Sequence, residues 1–229
     1  VLDRYIERLG QSAQKQIVVS SFHLCTEVYP EPFLQLSVSA RMTLQQNIRQ
    51  IGSRLVEALQ ELQRSIQNFE LNDSADPTLL FQAWETLEQG IMQQFQDSSR
   101  QLNHQLQDSQ VMQIKSLDKL LDTAVKAEAA GRTVTNPPHL LKALIDPDEE
   151  TEDGLEPVVA LYLQVGDLEF TDPELMGWRQ KLRPLLQKLS QVQQSFAQKQ
   201  EEQLVAEAIA AWNATWIAED ATTGGSMGQ

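Results

Sequence analysis

From Asp172-Pro173 to about Trp216 the chain carries no glycine after Gly177 and no proline after Pro184, and the stretch reads as one helix. At about 1.5 Å of rise per residue it forms a rod roughly 65 Å long. A compact globule of this chain length has a radius of gyration near ~17 Å, hence a diameter of about 45 Å. The rod does not fit inside such a globule, so the sequence predicts an elongated molecule.

Along this helix Leu182, Leu185, Leu189, Val192 and Phe196 recur in steps of three and four, the spacing of one helix face. The seam breaks at the polar collar Ala197 to Gln203 and resumes with Leu204, Val205, Ala208, Ile209, Trp212 and Trp216. The pattern predicts a rod that contacts two surfaces. Its leucine-rich half packs on the rest of the protein, and its tip meets a partner. Ile209, Trp212 and Trp216 are the candidate partner-binding residues, because tryptophan anchors dominate helix-in-groove recognition. The competing expectation is that the tryptophans pack on the protein's own bundle, although few elements remain to cover that end. Asn213-Ala214-Thr215 matches a glycosylation sequon but falls mid-helix in a chain without a secretory signal.

The remaining segments also read as helices. Leu2 to about Val28 has an apolar stripe of Ile6, Leu9, Ile17, Val18, Phe22 and Cys25, and stops at Tyr29-Pro30-Glu31-Pro32. Phe33, Leu34 and Leu36 form a short apolar plug. From about Ser39 to Phe69, Ile48, Leu55, Leu62 and Phe69 recur every seven residues beside Leu44, Ile51 and Ala58, with Leu59 and Ile66 widening the seam toward a bundle. Asp76-Pro77 starts a third long helix by aspartate capping and proline at the first turn. It weakens at Asp97-Ser98-Ser99 and at Asp108-Ser109, and its periodicity allows either a turn at Asp108 or continuation to Ala130. Short helices are expected over Pro138 to Ile145 and from Pro157 to about Leu168, and no segment alternates as a strand.

Composition narrows the function. Eighteen Lys and Arg face thirty-two Asp and Glu, a net charge of −14. That balance disfavours nucleic acid, which needs clustered cations, and anionic lipid for the same reason. About thirty glutamines fill solvated helix faces at no charge. A single cysteine forbids an internal disulfide, and with no transmembrane run or signal pattern a cytoplasmic location is expected. The chain starts at Val1, so a segment upstream remains open.

Catalytic and cofactor chemistry is not expected. The residues three before His23, His104 and His139 are Ser20, Gln101 and Asn136, so the Glu-x-x-His pairs of a di-iron bundle are missing. No phosphate-binding glycine motif and no zinc-spaced ligand set occurs. His23 and Cys25 point about 200° apart on a helix, and Cys25 lies on the apolar stripe as a small hydrophobe. Trp178 to Lys188 puts Arg179 and Arg183 on one face with Lys181 and Lys188 well away, which predicts a solvated ring of charge rather than an anion site.

Two phrases, Asn136 to Ile145 (NPPHLLKALI) and Phe170 to Arg179 (FTDPELMGWR) leading into the Gln-rich helix, resemble an uncharacterised helical protein family of cyanobacteria. The similarity covers about the last hundred residues and rests on caps and apolar spacing. It implies a bacterial cytoplasmic or membrane-adjacent origin and carries over no function, ligand or catalytic residue.

The expected fold is therefore all-α: an antiparallel bundle of long helices over residues 1–145, an acidic linker at 146–154, a short helix and a coiled-coil-like C-terminal helix over 155–220, and a disordered tail at 221–229. The expected function is a non-catalytic interaction or scaffold protein with a protein partner, self-association being one such contact. The alternative is a regulatory domain holding a small ligand between helices.

Overall fold

The computed structural model describes residues 1–72, 76–114, 117–131, 138–145 and 156–223. It is an all-α bundle. Three long helices, α1 (Leu2–His23), α3 (Val38–Asn72) and α4 (Pro77–Asp108), are joined by short α2 (Pro30–Gln35) and followed by α5 (Leu117–Ala129), α6 (Val165–Thr171) and α7 (Pro173–Thr223). α1 is antiparallel to α3, since Gln63 reaches Asp3, Gly10 sits against Val56 and Gln14 meets Ser53. α4 returns antiparallel to α3, with Asn47 donating to Gln105 at 2.6 Å at one end and Gly90 facing Leu62 toward the other. A Cβ on Gly90 would lie 2.9 Å from a Leu62 methyl, so glycine lets the two helices close up.

The heptad seam of α3 is buried through Leu44, Ile48, Ile51, Leu55 and Leu59, while the side chain of Phe69 lies outside the described residues. In α1 the buried face is Tyr5, Ile6, Leu9, Ala13 and Ile17. Val18 and Phe22 were expected on that stripe and are exposed instead. Val18 is one residue, about 100° of rotation, from Ile17.

Helix ends follow backbone accounting. After His23 the chain widens into one π turn, Leu24–Val28, closed by Tyr29 N–H on the Leu24 carbonyl at 2.8 Å. Pro30 then opens α2, so the expected apolar plug is helical. α4 does stop at Asp108: Gln110 takes a left-handed φ of 60°, its N–H bonds the Gln107 carbonyl, and Val111 N–H bonds that of Leu106. This is a Schellman stop built without glycine, sealed by the buried pair Leu106 and Val111.

Two segments expected to be helical are strands. β1 (Leu140–Ile145) pairs antiparallel with β2 (Glu156–Leu161), Leu140 opposite Leu161 and Ile145 opposite Glu156. The acidic run at 146–154 lies outside the described residues. Caps and apolar spacing at Pro138 and Pro157 mimicked helix starts, and side chains on other elements decided otherwise. Tyr29 Oη donates to the Val159 carbonyl at 2.9 Å and accepts from its N–H at 3.1 Å. Buried Asn103 donates to the Leu161 carbonyl at 2.7 Å and accepts from its N–H at 2.8 Å, and Ser99 accepts from Leu163 N–H at 2.9 Å. These three side chains stand in for a third strand along the edge of β2. Ser99 also donates to the Phe95 carbonyl at 2.8 Å, so the polar stretch that weakened the helix signal is a binding face for the hairpin.

Asn103→Ala leaves two buried backbone groups of Leu161 without partners. The expected loss is about 2–4 kcal/mol in urea unfolding. A change below about 0.5 kcal/mol, the size of a neutral surface substitution, would mean that the edge does not depend on Asn103.

Candidate functional site

The candidate site at the far end of α7 depends on how that helix is held. Its root is a cluster of charges. Asp172 caps α7, accepting from the N–H groups of Glu174 and Leu175 at 3.0 and 3.2 Å through Oδ1. Its Oδ2 accepts from Arg8 Nε at 2.8 Å and Ser12 Oγ at 2.6 Å, which ties the cap to α1. Burial alone pushes the Asp172 carboxyl up, but the bonds from Arg8, Ser12 and Leu175 and the charge of Arg8 outweigh it and bring it down to about 2.

One turn further on, Arg179 donates to Glu88 of α4 at 3.0 Å. Its Nε lies 3.5 Å from Glu169 Oε1, an ion-pair separation without hydrogen-bond geometry. Its guanidinium sits 5.8 Å from the Tyr5 ring centroid, and Tyr5 Oη donates to Glu169 at 2.6 Å. Burial pushes the Tyr5 phenol well above its usual range, and Glu169 adds to the shift. Arg179 was expected on a solvated ring of charge. It is instead the half-buried pin between α1, α4 and α6, because two of its partners, Glu88 and Tyr5, come from segments about 90 and 175 residues away in sequence. Periodicity within α7 could not register them.

Leu175 and Leu182 are buried beside half-buried Trp178, and further along the seam Leu189 and Phe196 are half-buried. Leu185 and Val192 are 52% and 47% exposed, so the expected packing of the leucine-rich half is carried by one edge of its seam. Pro184 withholds the N–H that the Gln180 carbonyl would accept, at the point where the helix leaves its last buried contact.

Every described residue from 197 to 214 is exposed. Leu204, Val205, Ile209 and Trp212 are all more than half in water, Trp212 at 67%. The backbone of Trp216 lies within α7, and its side chain is outside the described residues. Ile209 and Trp212 are thus brought together on the rod's tip, away from the bundle. At about 100° per residue the tip stripe is centred about 160° from the leucine seam, so one straight rod does not lay both stripes on the same body. The expectation that the tryptophans pack on the protein's own bundle does not hold for Trp212.

Among the described residues no group of three or more His, Cys, Asp or Glu could hold a metal ion, and no helix is long and apolar enough to cross a membrane. Cys25 is buried, and burial pushes its thiol up to about 11.

No protein-family model, no curated protein and no solved structure matches this chain. The class is therefore set by the fold alone: an all-α bundle with a long helical arm pinned at one end.

The Asp172 carboxyl titrates lower in the folded chain than in the unfolded one. Its stabilisation is present above about pH 4 and lost as pH falls toward 2. Asp172→Asn is expected to cost about 1–3 kcal/mol at neutral pH. It is also expected to flatten the fall in stability below about pH 4. Urea unfolding at several pH values checks this. An unchanged acid slope would remove Asp172 from the root of the rod.

Proposed function

We propose that this is a non-catalytic interaction protein whose bundle serves as a rigid base for a helical arm. The observation that carries the reading is the tip, where large apolar side chains stand exposed along α7. A lone helix is marginal in water. Over the collar this one carries local pairs, Gln198 and Lys199 with Glu202, and Gln203 with Glu207. Such a segment belongs to the low-stability end of a protein and gains order when its apolar face is covered.

The chemistry of the partner follows from charge. Between Ala197 and Thr223 stand Glu201, Glu202, Glu207, Glu219 and Asp220 against Lys199 alone. Two copies of such a tip repel each other. A helix or groove with an apolar centre and a basic rim fits it better, both in steering and in register. The reading therefore favours a basic protein partner over self-association and over an anionic surface. A cytoplasmic setting and the likeness to a cyanobacterial helical family belong to the same reading and add no partner to it.

The test pairs the intact chain with a Trp212→Ala/Trp216→Ala variant and with a chain ending at 196. Affinity capture is expected to retain a basic partner on the intact chain, in a salt-sensitive way, and to lose it on both variants. Truncation at 196 is expected to leave the melting temperature of the bundle within about 2 °C, since it removes no buried contact. Partners unchanged by either variant would move the function off the tip.

A further inference from the structure

Away from the rod, α1, its π turn, α2 and α3 enclose a cavity of about 310 Å³. Its walls are apolar, formed by Val18, Phe22, Phe33 and Ile48, and no carboxylate lines it in a chain of net charge −14. Val18 and Phe22, which left the core stripe of α1, are 41% and 62% exposed at its edge. These are apolar groups held in water beside an apolar hollow, a combination that a bound molecule would relieve.

Four polar side chains line the cavity, Ser21, Thr26, Gln45 and Arg49, and the first and last give it its selectivity. Ser21 lines it and is 3% exposed, and its Oγ has no hydrogen-bond partner. A buried orphan hydroxyl is costly, and the neighbouring Thr26 shows the usual remedy by donating to the Phe22 carbonyl at 2.8 Å. Arg49 stands exposed at the rim and, among the described residues, makes no ion pair or hydrogen bond. Arg41 adds positive charge nearby: it lies 5.5 Å over the Phe33 ring and bonds the Phe33 and Leu34 carbonyls, which fixes the α2 wall. The π turn supplies the room, as such turns often do beside binding sites.

We infer that this cavity binds a small amphiphilic monocarboxylate, its apolar body between Phe22, Phe33 and Ile48 and its anionic end on Arg49, with Ser21 as the inner hydrogen-bonding group. At roughly 30 Å³ per water-sized group the hollow holds about ten non-hydrogen atoms, which is the size of a medium-chain acid. The cation at the rim and the absence of any acid on the walls select the anion over a neutral or cationic body of the same length. This site stands on different residues from the rod tip and does not depend on the reading of that tip.

Calorimetric titration of the full chain with octanoate, octanol and octyltrimethylammonium tests the inference, with Cys25 alkylation as a second readout because its thiol lines the same cavity. Octanoate is expected to bind one-to-one, more tightly than octanol, and to slow alkylation, while the cation does not saturate. Arg49→Gln, an exposed change that spares the core, is expected to weaken octanoate about tenfold and leave octanol unchanged. Val18→Trp at the rim is expected to abolish binding of both. No saturable binding at millimolar octanoate, equal binding of anion and cation, or an Arg49→Gln chain that binds octanoate unchanged would each overturn the site.

Discussion

Asp172 accepts from Arg8 and Ser12 with one oxygen while the other caps the first turn of α7. That carboxylate, with the Arg179 pin about two turns later, fixes the root of a helix about 75 Å long, whose inner face stays half-buried as far as Phe196. The arrangement is economical because the charges are paired across elements and only partly exposed, so each bond gains more than a surface ion pair would. Beyond Phe196 every described residue of α7 up to 214 is exposed.

The same division of labour runs through the bundle. α1, α3 and α4 hold one another through apolar seams. The hairpin adds Leu140, Leu141, Val158, Ala160 and Leu161 to that core, and the open edge of β2 is bonded by polar side chains of Tyr29, Ser99 and Asn103. Buried polar groups of this kind specify one arrangement because every alternative leaves a backbone group unpaired.

Much of this was legible in the sequence because it is local. The heptads of α3, the Asp76-Pro77 and Asp172-Pro173 starts, and the polar collar of α7 depend on residues within a few turns of each other. The hairpin was not legible, since Leu140–Ile145 and Glu156–Leu161 become strands through Asn103 and Tyr29, which no periodicity connects to them. Arg179 was misread for the same reason, its partners Glu88, Glu169 and Tyr5 lying on three other helices. The exposed tip was legible in outline, as Ile209 and Trp212 show, but the exposure of Leu185 and Val192 within the leucine seam was not. A leucine stripe records the capacity to pack, and only the neighbouring helix lengths decide where packing stops. The cavity beside Cys25 was invisible too, because Val18 and Phe22 keep helical spacing with core residues while lying outside the core.

A free rod on a compact base has a definite signature in solution. Small-angle X-ray scattering of the monomer, with its mass fixed by light scattering, measures that shape directly. A projecting α7 gives a maximum dimension of at least about 75 Å, the length of the helix itself. A radius of gyration near ~17 Å with a maximum dimension of about 45 Å, the values of a compact globule, would show that the tip folds back and would contradict the free arm.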